Sequence, residues 1–221
     1  MLIPLSYPLS QTSPLYPGTP PVRFTELKSM SRGDSANQTT ITLSSHAGTH
    51  IDAPSHFCPA GKTIRETFIY GERIGPSYCL DFVKGPGECI TVSDIQERFK
   101  TCTDAVALLI RTGAYGYRTR DPDTYRNNHP WVHEDVPEYL RSQYPKLRLF
   151  GLDTLSLTHP EHREQGRECH RRFLCYKPEI AVLEDLDLSF CTLSGDAFSL
   201  YIFPWILDDL DGVPVCVFAE R

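Results

Sequence analysis

The apolar residues fall in short runs broken by glycine, proline and polar clusters, the arrangement of interleaved strands and helices. From Ile41 the pattern alternates, with Ile41 and Leu43 apolar and Thr42 and Ser44 polar, as in a half-buried strand. This strand leads straight into HAGTHIDAPSHF at 46–57, and a loop containing Gly71, Gly75, Gly85 and Gly87 follows. VSDIQERFK at 92–100 predicts a helix with Ser93 as N-cap and Gln96 closing a capping box. AVALLI at 105–110 predicts a buried strand stopped by Gly113, and residues 114–134 read as polar and irregular. Asp135 and Pro137 open a helix through Glu138 to Gln143, LRLFGLD at 147–153 reads as a strand, and residues 160–176 are charged with helical spacing. EIAVLEDL, SLYIFP and VPVCVFAE supply three further strands. Six of the 18 prolines lie in the first 21 residues, so this amino-terminal arm runs as turns and extended segments.

The expected class is α/β (α+β), and 221 residues suffice for one sizeable core, so residues 1–221 read as a single domain with the proline-rich arm at 1–21. A net charge of -6 leaves no basic surface to track a phosphate backbone, which excludes nucleic acid as the expected partner. Apolar runs of four to six residues fall far below the roughly 18 needed to span a bilayer. MLIPLSYPLS has no basic region and carries Pro4 and Pro8, so it does not read as a secretion signal, and the expected location is cytoplasmic. The eight cysteines contain no CxxC pair, which argues against a thiolate zinc knuckle; reduced, mostly buried thiols are expected.

The strongest anomaly is histidine clustering: three of eight fall between positions 46 and 56. His46, His50, Asp52 and His56 sit at even offsets, so an extended chain projects all four to one side, with apolar Ala47, Ile51, Ala53 and Phe57 on the other. In a straight strand His46 and His50 stand about 13 Å apart, too far to share an ion bound at about 2 Å, so the chain must bend. Gly48 allows that bend, and Pro54 fixes a second turn before His56. Two imidazoles and a carboxylate suit Zn²⁺, Mn²⁺ or Fe²⁺. His56 is either a ligand or a free general base.

HAGTHIDAPSHF resembles the HxGTHxDxPxH signature of the metal-dependent cyclase family, which includes bacterial kynurenine formamidases and isatin hydrolases. YPGTP at 16–20, LLIRTG at 108–113, GLDTLS at 151–156 and AVLEDLDL at 181–188 follow in the family's order, so the resemblance covers nearly the whole chain. It implies a swivelling β/β/α fold, a homodimer or higher homo-oligomer, and one or two divalent ions, Zn²⁺ or Mn²⁺. His46, His50 and Asp52 fall on the family's metal-ligand positions and His56 on its acid/base. Glu184 matches the glutamate of two-metal members; His170 matches their late histidine, with His162 as the substitute. Tyr16 stands where formamidases carry a tryptophan and keeps an aromatic that stacks on an aryl substrate, whereas Thr19 replaces their aspartate. Asp153 and Thr154 are expected to support the site, and Arg111 with Thr112 to anchor strand and loop.

The implied reaction is hydrolysis of a small-molecule, non-peptide amide such as N-formylkynurenine or a related aryl or cyclic amide. A divalent ion with an open position lowers the pKa of its water towards neutrality, metal-bound hydroxide attacks the carbonyl, and His56 moves the proton. The alternatives are an isatin hydrolase-like action on cyclic amides or esters, a non-catalytic metal-binding member of the family, and a thiol hydrolase using Cys58, for which a packed thiol is the plainer reading.

Overall fold

The apolar runs become the staves of a closed sheet. The computed structural model describes residues 1–67, 72–99, 102–189 and 195–220. Its elements begin with β1 (Leu2–Pro4), β2 (Arg23–Lys28), β3 (Gln38–Thr42), β4 (His50–Asp52), α1 (Ile64–Thr67), β5 (Arg73–Asp81), β6 (Cys89–Ile90), α2 (Val92–Arg98) and β7 (Ala107–Arg111). They continue with α3 (Tyr115–Arg120), α4 (Pro122–Asn127), β8 (Trp131–Val132), α5 (Val136–Gln143), β9 (Leu149–Leu152), α6 (Arg163–Leu174), β10 (Ala181–Glu184), β11 (Phe198–Pro204) and β12 (Gly212–Glu220). Short 3-10 turns occupy Met30–Arg32 and Pro54–His56.

Strands β12-β11-β5-β7-β9-β10-β4 are hydrogen-bonded in that order, and β4 returns to pair with β12, closing a barrel. β5, β7, β9 and β10 are parallel, joined by crossovers that carry helices, while β4, β11 and β12 run antiparallel to their neighbours. The architecture is the expected mixed α/β class. Alternation along each strand separates two cores. Leu109, Leu149, Leu183 and Val213 join a cluster drawn from all seven staves, which is the barrel interior. Leu108, Ile110, Phe150 and Val182 face outwards onto Ile95, Leu140 and Phe173 of the covering helices. Parallel strands buried on both faces account for the uninterrupted apolar runs in the sequence.

The proline-rich arm packs on the body. β1 pairs with the end of β12, Leu5 is fully buried, and Ser6 bridges to Leu186. Several local expectations are corrected. Of the segment expected as a half-buried strand from Ile41 to Ser44, only Ile41 and Thr42 are strand, at the end of β3; that strand pairs with β2, and among the described residues both are exposed throughout, while Leu43 and Ser44, past the strand's end, are half-buried. The stretch read as a loop from Gly71 to Gly87 contains β5, a nine-residue barrel strand. Gly75 and Pro76 hid it; a Cβ at Gly75 would press on the Phe198 carbonyl at 3.3 Å, beside a register shift against β11. The α2 capping box uses Thr91 and Asp94, not Ser93 and Gln96, because Thr91 is still extended and the helix begins one residue later. Residues 114–134 hold α3 and α4, the latter capped by Asp121, which accepts from the Thr124 N–H. Cys58 and Cys175, expected as thiols, form a disulfide across 117 residues, as the turn after His56 meets the end of α6. Gly71, Lys100 and Cys191 lie outside the described residues.

Candidate metal centre

Strand register assembles the centre. β4 lies between β10 and β12, with His50 opposite Glu184 on one side and Pro214 on the other, so the His50 and Glu184 side chains share a face. Asp52, two residues on, joins them there, while Ile51 points into the barrel core. Gly48, at φ 69°, turns the chain back so that His46 rejoins this face. α6 packs against β10 and supplies His170; the 3-10 turn opened by Pro54 supplies His56.

Two carboxylates meet two imidazoles here. His50 Nε2 lies 3.5 Å from Asp52 Oδ1 and 3.4 Å from Glu184 Oε2. His170 Nε2 lies 3.6 Å from Asp52 Oδ2 and 3.3 Å from Glu184 Oε1. Each carboxylate therefore turns one oxygen to each histidine. All four residues are buried. Both imidazoles are oriented from behind: His50 Nδ1 donates to the Gly48 carbonyl at 2.8 Å and His170 Nδ1 to the Gly166 carbonyl at 2.9 Å, so Nε2 is the atom each ring turns to the carboxylates. Glu184 Oε1 also accepts from Ser156 Oγ at 3.0 Å and the Leu157 N–H at 2.8 Å.

These residues fit a divalent cation. Donor separations of 3.3–3.6 Å exceed the roughly 2.7–2.9 Å of a charge-assisted hydrogen bond but match the edge of about 3.3–3.4 Å between ligands held tetrahedrally at 2.0–2.1 Å. Two buried carboxylates side by side also call for positive charge between them. In the protein alone, the histidines carry that burden. Burial pushes the His50 and His170 pKa values down, but the facing Glu184 and Asp52 carboxylates outweigh it and both rise. Burial pushes Glu184 up, yet His170 and His50 hold it well below the usual carboxylate range. Asp52 is likewise lowered against its burial by the hydrogen bond from His46.

His46 and His56 form a second group beside the first. His46 Nδ1 meets Asp52 Oδ1 at 2.9 Å, its Nε2 meets Asp211 Oδ2 at 2.9 Å, and its ring stacks on His56 with centroids 3.9 Å apart. Burial works against the protonated ring, but the bonds to Asp211 and Asp52 push His46 up to about 10. His56 Nδ1 lies 3.0 Å from the same Asp211 oxygen. Hydrogen bonds from His46 and His56 drive Asp211 below the usual carboxylate range. The sequence reading missed Asp211: it sits in DDLD at 208–211, where Asp208 pairs with Arg65 at the surface, and no spacing marks one aspartate from the next. Gly212 makes room for His46; a Cβ there would stand 2.4 Å from the ring's Cε1.

The expected residues His46, His50, Asp52, His56, His170 and Glu184 thus come together. A cleft of about 270 Å³ opens above them, lined also by Tyr16, Thr19, Phe57 and Ser156. Phe57 stacks on His170 with centroids 4.6 Å apart. His162, the substitute for His170, instead stacks on Trp131 and meets His159. Cys58 is held in its disulfide and offers no thiolate, which removes it as a nucleophile. Asp153 accepts from the Thr112 N–H, the Thr112 hydroxyl and the Gly113 N–H, and burial raises its pKa to about 6. It braces the loop after β7. Arg111 pairs with Asp81, anchoring strand ends as expected.

Comparison with known proteins gives the same direction. The Cyclase family model matches residues 3–159. A kynurenine formamidase of Bacillus anthracis is 31% identical over 219 residues, spanning 96% of this chain and 94% of the relative. Isatin hydrolase A from Labrenzia aggregata, solved with benzyl benzoate, superposes with a TM-score of 0.78 at 21% identity over 99% of this chain and 93% of its own. Isatin hydrolase A from Ralstonia solanacearum gives 0.77 at 17% identity, covering 99% and 91%. These two likenesses concern the fold. With a family match over most of its length and a relative aligned almost end to end, this chain belongs to the cyclase family.

Proposed function

We propose that this chain is a metal-dependent hydrolase of non-peptide amide C–N bonds, acting in the manner of an arylformamidase on N-formylkynurenine or a related aryl or cyclic amide. The observation that carries the reading is the meeting of two buried imidazole Nε2 atoms with two buried carboxylates beneath a cleft that His56 lines. The kynurenine formamidase relative supports the amide substrate.

His46, His50, Asp52, His170 and Glu184 would hold one or two divalent ions, Zn²⁺ or Mn²⁺. When bound, such an ion polarises a carbonyl and acidifies water at neutral pH. The rest falls to the chain. His56 donates through Nδ1 to Asp211, which leaves Nε2 as the atom that takes a proton from water and returns it to the departing nitrogen. Asp211 keeps that tautomer and ring orientation in register with His46. Ser156 and the Leu157 N–H fix Glu184. Tyr16 offers its ring to an aryl group across the cleft.

The reading includes residues 1–221 acting as one domain, and a homodimer. Phe24, Leu27, Met30 and Ile41, exposed on and beside the β2–β3 hairpin, support a self-association surface. No helix among the described residues is long and apolar enough to cross a membrane. A cytoplasmic location is part of the proposal, tested by fractionating the producing cells: recovery with cytosolic markers supports it, and recovery outside the cytosol contradicts it. The function itself is tested by stripping the protein with a chelator, restoring Zn²⁺ or Mn²⁺, and following N-formylkynurenine and isatin in parallel. Restored hydrolysis of either supports an amide hydrolase; metal retention with no turnover of any amide favours the non-catalytic family member.

A further inference from the structure

The cleft over the metal centre is also lined by Arg163 and Arg167 of α6. They stand four residues apart, side by side on one helix face, where like charges repel unless something negative lies between them. The helix treats its other arginines differently: Arg171 and Arg172, one turn further on, are both taken up by Glu168. Among the described residues neither Arg163 nor Arg167 pairs with a carboxylate; Arg163 Nε donates to the Pro160 carbonyl at 3.0 Å, and its guanidinium also faces the Tyr16 hydroxyl. A second observation points to the same place. The Tyr16 hydroxyl, on the same cleft, is buried, meets no carbonyl or carboxylate, and has the Arg163 guanidinium as its polar neighbour. Both arginines are close enough to pull against the rise that burial causes in its pKa. Two guanidinium groups with no carboxylate partner among the described residues, and a buried hydroxyl beside them, are the donor set of a carboxylate site.

Resting on the amide hydrolase reading above, we propose that Arg163, Arg167 and Tyr16 bind a carboxylate carried by the substrate, so that the chain selects amides that bear a carboxylate over those that do not. Helix geometry sets the spacing. Arg167 and Arg163 precede His170 by three and seven residues, which puts the bound carboxylate roughly 5–10 Å along the helix from the metal centre. The substrate is thus an amide with an acid group several bonds from its scissile carbonyl. A compact neutral ring such as isatin fills only one half of this arrangement.

The test compares metal-loaded wild type, Arg163→Gln, Arg167→Gln and the double variant on N-formylkynurenine, which bears a carboxylate, and on formanilide, which does not. The ratio of the two kcat/KM values should fall about tenfold or more for each arginine lost, mainly through KM, with Arg→Lys variants restoring part of it. An unmoved ratio overturns the proposal. So does inhibition of the wild type by inorganic phosphate with no carboxylate preference, which would assign the pair to a free anion. Calorimetric binding of 2-aminobenzoate against 2-aminobenzamide separates this claim from the reading it rests on. If the wild type hydrolyses neither substrate yet binds the carboxylate at least tenfold better, and the double variant loses that margin, the amide hydrolase reading fails and the carboxylate site stands; equal binding of the two probes overturns the site.

Discussion

Gly212→Ala gives the sharpest single-atom test of the centre. The added Cβ would lie 2.4 Å from His46 Cε1, 2.9 Å from Nδ1 and 3.0 Å from Nε2. Carbon atoms pack at about 3.5–4.0 Å, so the ring must retreat by more than about 1 Å. His46 has no room to do so while keeping both 2.9 Å bonds, to Asp52 and to Asp211, and it carries the stacked His56 with it. The overpacking and the weakened charged hydrogen bonds together predict about 2–3 kcal/mol of lost stability. A displacement of this size at a reacting centre predicts roughly a hundredfold loss of kcat/KM, and metal affinity about ten- to a hundredfold weaker. The assay is urea unfolding, elemental analysis after dialysis against a metal buffer, and amide turnover on one preparation. Gly116→Ala is the control, since nothing lies within 4 Å of its new Cβ and the site is helical; it should be neutral or stabilising by up to about 1 kcal/mol. Wild-type metal content and turnover in Gly212→Ala would refute the packing of His46 described above.

Three further outcomes follow from the same geometry. His56→Ala should lower kcat/KM by about 10²–10⁴ while metal content stays intact; loss of metal would make His56 a ligand instead of the acid/base. Gly166→Ala puts a Cβ 2.2 Å from Thr158 Oγ1, forcing α6 and His170 away from Glu184, so elemental analysis should find less metal per chain than in the wild type; an unchanged stoichiometry would contradict the role of His170. In chelator-treated protein His46 is raised from 6.5 to about 10, so the folded state keeps a proton that the unfolded chain sheds between those values. The stabilisation is therefore complete below about pH 6.5 and lost as pH climbs towards 10, by as much as about 5 kcal/mol, and a urea midpoint that does not fall between pH 6 and pH 9.5 would contradict it.

Much of this centre is legible in the sequence because it is local. His46, His50, Asp52 and His56 share one face through spacing and one bend at Gly48, and Glu184 ends an apolar run that reads as a strand. What was illegible is non-local. Nothing in the sequence says that β4 lies between β10 and β12, although that register alone sets Glu184 opposite His50 and brings Asp211 to His46. Asp211 has no spacing signal because its partners are 155 and 165 residues away. Cys58 and Cys175 are hidden for the same reason. β5 escaped notice because Gly75 and Pro76 mimic a loop, and the β2–β3 hairpin misled because alternation marks a strand without saying whether anything covers it.

The central claim is that His46, His50, Asp52, His170 and Glu184 hold divalent metal. The most direct measurement is bound metal per chain, by elemental analysis after incubation with Zn²⁺ or Mn²⁺ and desalting, for the wild type beside Glu184→Gln. The geometry predicts between one and two ions in the wild type, and fewer once one of the two central carboxylates becomes an amide. A wild-type protein that is folded and retains no metal would contradict the account.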